Sequence, residues 1–518
     1  MELKEEKEIL KIDEITFGKI DAHNELQEVG YDYYANSFLK YDKYRIDKFW
    51  KGEKYYICGD KGTGKTALLK YLECKLVEDS ANLVIPVRFK TQFDEEDRKL
   101  MTVAANVREE VVDSLPEEKI NSYIFVWQTY IIHQILKSEE EGEYQIFEIT
   151  DNLLLLKKLL RSMYEGQEGR IVPKLTKGYV SLSASSLKGL AADVQLEIEF
   201  NNNTHKVNFS KMAKKIFDLY QELIPKSTPV YILMDELELS VNSKKNHNRD
   251  VQLVRDLIVA IARMNEIAKI KYYNVNIFAS IRNDVISSIL SHGYEINKCV
   301  EDFGVQIDWF QKGGNYIDSP LLGIIESKIN ASEIRAGIKK SNNVWEKYFE
   351  STINEMEVRR YILSFTWQRP RDIIRMMNSI QEQYKNENKI TQEMFDRAMQ
   401  TYSERSWNEI AEELKLIYSG INDIKAIKKF FTGIQVPFSY GYLVKRSEEL
   451  GEIYDYVHEF FEKNKMIDFL EKMFDWGVIG NSGKRMIFKF LGDDELQPTS
   501  DMIIHRPLRN FFAVTSKR

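Results

Sequence analysis

At roughly 150 residues per domain, the 518-residue chain is long enough for three or four domains. Hydrophobic residues make up 43% and charged residues 30%, with only 10 prolines and 25 glycines, which excludes collagen-like, low-complexity and largely disordered classes. Lys and Arg total 73 against 80 Asp and Glu, a net charge of −7, so the surface as a whole does not attract nucleic acid; a local basic patch is compatible with that balance.

No stretch reaches the ~20 apolar residues of a membrane helix, and the charged start MELKEEKEILKIDE lacks the apolar core of a signal peptide. A cytoplasmic chain without a membrane partner is expected. Cys58, Cys74 and Cys299 lack metal-ligand spacing and read as reduced thiols. The seven histidines are scattered, without the pairing of a zinc site. No fixed-period repeat is visible.

In chain order, residues 1–50 form a lead-in with a turn-like FGKIDAHNEL, Phe17 to Leu26. A short apolar run, Tyr55–Cys58, precedes a glycine-rich turn and a helical pattern, Ala67–Leu76. A second run spans Asn82–Phe89, and helices are expected around Leu100–Leu115 and Asn121–Leu136. An insertion at about 140–215 carries an alternating stretch, Lys177–Phe200, expected to fold as a hairpin of GYVSLSASS against ADVQLEIEF with a polar turn at Asn201–Asn203. Further apolar runs lie at Val230–Met234, Asn274–Ser280 and Val305–Phe310. Short apolar runs separated by helices predict an α/β fold with a parallel sheet covered on both faces. Residues Ser319–Ile410 read as helical, and the tail from Gly420 is helical up to a strand–turn–strand signal, Val478–Phe490. The expected domains are a lead-in (1–50), a core (51–318), a helical lid (319–419) and a C-terminal domain (420–518).

The strongest motif is Gly59-Asp60-Lys61-Gly62-Thr63-Gly64-Lys65-Thr66, which fits GxxxxGK[ST] at every specified position. Such glycines let successive N–H groups form an anion nest, and the helix starting at Thr66–Ala67 adds its N-terminal dipole. Lys65 is expected to reach the β- and γ-phosphates of ATP, standing exposed in the empty site, and Thr66 to ligate Mg²⁺. The run Val230–Met234 ends in Asp235-Glu236, where open α/β sheets collect ligands: Asp235 for the Mg²⁺ shell, Glu236 to polarise an attacking water. Glu238 reads as a solvated or salt-bridging neighbour. Ser280 and Arg282 leave the Asn274–Ser280 strand at one sheet edge. Arg282 either senses the γ-phosphate or pairs with Asp284. In Gln368-Arg369-Pro370-Arg371-Asp372, proline opens a helix. Arg371, or failing that Arg369, either reaches the nucleotide or pairs with an acid.

These motifs resemble those of P-loop ATPases of the AAA-type and STAND branch. Phe17-Gly18 with Glu25-Leu26 resembles the lead-in on the adenine side. Ser280-Ile281-Arg282 resembles a sensor strand exit. Ile307-Asp308-Trp309 with Pro320-Leu321-Leu322 resembles the last core strand and lid start, and Arg369-Pro370-Arg371 the lid sensor. The order is similar to that of bacterial P-loop ATPases found in mobile or defence-related gene neighbourhoods. The likeness spans about 15–410, with the insertion fitting poorly. It implies a P-loop NTPase core of the ASCE/AAA-like kind and a sheet with Tyr55–Cys58 beside Asn274–Ser280 and Val230–Met234 beyond.

The tail resembles a winged helix, with Ile467–Trp476 as helix and Lys484, Arg485 and Lys489 on the wing, followed by His505, Arg506 and Arg509. Packing against protein is the favoured use, and phosphate contact with DNA the alternative. The leading functional expectation is an ATP-hydrolysing switch acting on a protein partner or on its own assembly. A nucleotide-held scaffold and a DNA-dependent ATPase are the alternatives. Arg249 is a weaker candidate for reaching a neighbouring subunit. No kinase acceptor motif and no nuclease, protease or deaminase signature stands out.

Overall fold

The structure is a computed structural model that describes residues 8–105, 123–142, 144–164, 173, 175–176, 179–182, 198–201, 204–239, 244–311, 314–483, 486–493 and 495–516. Among the described residues, the strands before residue 307 are Tyr56–Gly59 (β1), Leu83–Arg88 (β2), Leu175–Thr176 (β3), Tyr179–Leu182 (β4), Ile198–Asn201 (β5), Thr204–Asn208 (β6), Val230–Leu237 (β7), Val275–Arg282 (β8) and Gly304–Gln306 (β9). Five of them form one parallel sheet in the order β2-β7-β8-β1-β9. β1 therefore lies beside β8, with β7 beyond. The inner strands are buried nearly throughout, which explains their unbroken apolar runs. Edge strand β2 instead alternates, and Pro86, which has no N–H to donate, takes an exposed position in it.

By its contacts the chain divides into two units. The first comprises residues 42–61 and 65–307 and is the α/β unit. Its core joins the sheet to helices Ile124–Glu141, Phe209–Gln221 and Lys244–Ile270 through Trp127, Ile131, Met212, Ile216, Leu257 and Ile261. Polar ties fix the last helix to the sheet: Asn265 bonds both the N–H (2.9 Å) and the carbonyl (3.0 Å) of Ile277, and Tyr56 donates to the Ile258 carbonyl at 2.7 Å. The expected helix at Leu100–Leu115 is seen as Glu95–Ala105, and residues 106–122 lie outside the described residues.

The hairpin expected in the insertion pairs differently. β4 and β5 do not pair with each other; both pair with β6, in a four-stranded antiparallel sheet ordered β3-β4-β6-β5. The polar THKVN segment was not read as a strand, yet its Val207 faces Val180 in register and both are buried. Asn202 and Asn203 lie outside the described residues.

The second unit comprises residues 1–41, 62–64 and 308–518. The lead-in is thus divided: residues 1–41 group with the helical residues and 42–50 with the α/β unit. Gln381 donates to the carbonyls of Ile12 (2.7 Å) and Ile15 (2.6 Å), and the Glu25 carboxylate receives Lys328 and the Lys19 N–H. Helices Leu322–Arg335, Pro370–Gln381 and Gln392–Leu414 follow. In the tail, helix Met466–Asp475 leads into an antiparallel sheet whose central strand, Ile479–Ser482, pairs with Met486–Ile487 and Asp501–Ile504. Lys489 pairs with Asp475 at 2.5 Å, while Lys484 and Arg485 lie outside the described residues. No helix among the described residues is long and apolar enough to cross a membrane.

Gly477 closes helix Met466–Asp475 at a φ of 64°. The N–H groups of Gly477 and Val478 return to the carbonyls of Phe474 and Met473, the double bond of a Schellman cap. A Cβ here would lie 2.7 Å from Cδ1 of Trp367, whose indole N–H donates to the Gly477 carbonyl. Gly477→Ala should therefore destabilise this unit by about 1–3 kcal/mol through overpacking and a left-handed alanine. Urea unfolding followed by tryptophan fluorescence checks this; an unchanged midpoint would show that Trp367 yields freely.

Candidate functional site

β1 ends at Gly59 and a helix starts at Lys65, one residue earlier than expected, so Asp60–Gly64 make the whole turn. Gly62 and Gly64 have φ of 83° and 93°, a region other residues enter only with strain. A Cβ on Gly62 would also lie 3.3 Å from Cβ of Arg371, because the loop tip, residues 62–64, belongs by its contacts to the second unit. There the Trp309 indole N–H donates to the Thr63 carbonyl at 2.9 Å, and the Arg371 N–H to the Gly62 carbonyl at 3.4 Å.

In the α/β unit the expected residues Asp60, Lys65, Asp235 and Arg282 come together. Lys65 is not exposed, as expected from sequence, but only 8% accessible. Its stem is covered, and its ammonium folds back to donate to the Asp60 carbonyl at 2.8 Å. Burial, with Arg282 adding repulsion, lowers its pKa to about 8 against the pull of Asp235, Asp284 and Asp60. Asn283 donates to the Asp60 carboxylate at 2.8 Å. Thr66 and Ala67 follow in the first helical turn, partly accessible, as is Lys61.

Asp235 is buried at the end of β7. Parallel register sets Met234 against Ala279, so the next residues, Asp235 and Ser280, are neighbours, and the serine hydroxyl donates to the carboxylate. One residue on, the register slips and Glu236 adopts a φ of 61°. A non-glycine residue there costs roughly 1–3 kcal/mol. The bulge turns the Glu236 side chain to β2, where Arg88 donates through Nε (3.1 Å) and Nη2 (2.5 Å) and Thr91 through its hydroxyl (2.9 Å). Arg88 and Thr91 were missed from sequence. Arg88 merely ends an edge strand there, and its position opposite Asp235 emerges only from the strand order.

Arg282 forms a two-pronged pair with Asp284, 2.9 and 2.7 Å, and reaches Glu238 at 3.5 Å. Glu238 also pairs with Lys90 at 2.8 Å. Arg249 is committed within the chain, to Glu95 (2.7 and 3.0 Å) and Asp250, which weighs against its reaching another subunit.

Arg371 lies in the second unit with the loop tip. Its guanidinium donates to Glu409 at 2.9 Å, and Arg375 binds the other oxygen of the same carboxylate. Arg369 pairs with Asp372 at 2.8 Å. Burial opposes the charge of Glu409, yet Arg369, Arg375 and Arg371 together hold it well below the usual carboxylate range. Nothing in the sequence marks Glu409, which sits on a different helix 38 residues away.

Residues 319–411 match a family described as the FunZ-associated C-terminal helical domain. No curated protein matches the chain.

Glu409→Gln would leave three arginines crowded around a neutral amide. Breaking a buried ion pair typically costs about 3–5 kcal/mol. Because the folded-state pKa is depressed, this stability is full above the ordinary glutamate range, declines as pH falls below that range and is gone only once pH falls through the depressed folded-state value. The variant should melt at clearly lower temperature at pH 7, with the gap to wild type narrowing in acid. Equal melting at pH 7 would contradict a structural role for the cluster.

Proposed function

We propose that the chain is a Mg²⁺-dependent ATPase that works as a switch on a protein partner or on its own assembly. The observation that carries this reading is the meeting, in the α/β unit, of Lys65 with the buried Asp235 at the end of β7. Backbone N–H groups at such a turn, the following helix start and the lysine charge suit a polyphosphate. The strand order is also the one that the likeness to AAA-type ATPases implies. Thr66 and Asp235 offer the hard oxygen donors that Mg²⁺ prefers and would hold it; the ion would neutralise phosphate charge. Lys65 would exchange the Asp60 carbonyl for phosphate oxygens. Arg282 and Arg371 are the candidates for stabilising charge in the transition state, each by leaving its present carboxylate.

One observation favours a second reading, a nucleotide-held scaffold with little turnover. Glu236 is bound by Arg88 and Thr91, so it is not free to polarise water in this state. Under the switch reading, nucleotide binding must draw Glu236 away from Arg88. Phosphate release should then fall about 10²–10⁴-fold in Glu236→Gln and rise in Arg88→Ala. Equally slow release by wild type and both variants would establish the scaffold instead.

The lysine supplies a pH test. A phosphate prefers the charged amine, so affinity for Mg·ATP should be full below about 8 and weaken as pH rises through that value. In Lys65→Ala the nucleotide affinity of this site should be lost, and the pH dependence with it. Calorimetric titration at pH 7, 8 and 9 checks this; identical wild-type and variant profiles would remove Lys65 from the site.

A further inference from the structure

Within the second unit lies a cavity of about 320 Å³, near the lower end of the roughly 300–1,000 Å³ of small-molecule pockets. Its walls come from the loop after β9, from helix Val358–Ser364 with the turn beyond it, and from the tail. Trp309, Tyr316, Phe488 and Phe490 give it aromatic surface. The Trp309 N–H is already committed to Thr63, so this residue offers the cavity its ring rather than a donor.

Among the described residues, the charged ones lining the cavity are arginines, Arg360, Arg506 and Arg509. Arg506 reaches the Ser364 hydroxyl at 3.1 Å, and Arg509 the Ile504 carbonyl at 3.0 Å. Arg360 lies over the Tyr316 ring at 5.9 Å. Among the described residues none of the three guanidinium groups has a carboxylate partner, unlike those of the glycine-loop region. Burial, and after it the neighbouring Arg506, lowers the pKa of Arg509, so its charge is held at a cost that an anion would relieve.

His505 supplies an independent sign. Its ring is wedged between Trp367, Phe488 and Phe490, with centroids 4.7–4.9 Å away, and is only 4% accessible. Burial, with Arg509, Arg369 and Arg506 nearby, keeps it neutral. Its Nδ1 is buried without a hydrogen-bond partner, a rare condition for a polar atom in a folded protein. A neutral imidazole nitrogen can serve the polar edge of a heterocycle, while aromatic faces and guanidinium groups suit bases and phosphates.

We propose that this cavity binds a small aromatic anion with the chemistry of a nucleoside monophosphate, its phosphate on Arg506 and Arg509 and its ring among the aromatic walls beside His505. The site shares no residue with the glycine loop and is independent of the ATPase reading. The test uses the full chain carrying Lys65→Ala, titrated calorimetrically with AMP, GMP, CMP and UMP. At least one should bind with one site per chain, and the matching nucleoside and inorganic phosphate should each bind tenfold or more weakly. Arg509→Gln should weaken binding at least tenfold with an unchanged circular dichroism spectrum. If that variant does not fold, Arg506→Gln, at the other arginine assigned to the phosphate, makes the same test. Absence of binding at millimolar concentration, binding untouched by the arginine substitution, or phosphate binding as tightly as the nucleotide would each overturn the proposal.

Discussion

β8 is hydrogen-bonded in parallel to β1 on one side and to β7 on the other, and this double pairing creates the candidate site. Parallel strands end at the same sheet edge. The glycine loop leaving β1, the carboxylates closing β7 and the Ser280–Arg282 exit of β8 are therefore neighbours although 45 residues separate Asp235 from Ser280. Register then assigns the contacts. Met234 faces Ala279, so Asp235 meets Ser280; Asp235 faces Arg88, so Glu236, thrown out of register by the bulge, meets Arg88.

A second constraint is electrostatic. In the α/β unit every charged candidate is engaged: Lys65 with a carbonyl, Asp235 with Ser280, Glu236 with Arg88, Arg282 with Asp284. In the other unit, Arg371 is engaged with Glu409. Such pairs stabilise the present arrangement. Under the proposed function, a polyphosphate with its metal would compete for Lys65 and Arg282 and so change several bonds at once, which is how a local ligand biases a two-state element. The left-handed Glu236 adds to this: its strain is balanced by three hydrogen bonds to Arg88 and Thr91, and removing them would free the residue to rotate.

The sheet was legible because its inner strands are buried on both faces and so appear as unbroken apolar runs; Val230–Met234 lies within β7, and Asn274–Ser280 overlaps β8 from Val275 onward. Strand order came from family likeness, since periodicity carries no information about neighbours. The insertion was misread because β6, THKVN, is too polar to announce itself, and alternation cannot tell which of two strands a third will join. The loop residues were visible as a motif with fixed spacing. Their partners were not: Arg88 and Glu409 are ordinary surface-type residues in sequence, and only folding sets them against Glu236 and Arg371. The exposed Lys65 expected from its chemical role gave way to packing, since a long aliphatic stem is readily buried while its head finds a carbonyl.

The most direct test is an experimental structure of the full chain with Mg²⁺ and a slowly hydrolysed ATP analogue. The account predicts a triphosphate wrapped by Gly59–Thr66, the metal held by Thr66 and Asp235, Lys65 released from the Asp60 carbonyl and Glu236 released from Arg88. An empty glycine loop with nucleotide bound elsewhere, or a filled loop with both of these contacts unchanged, would contradict it.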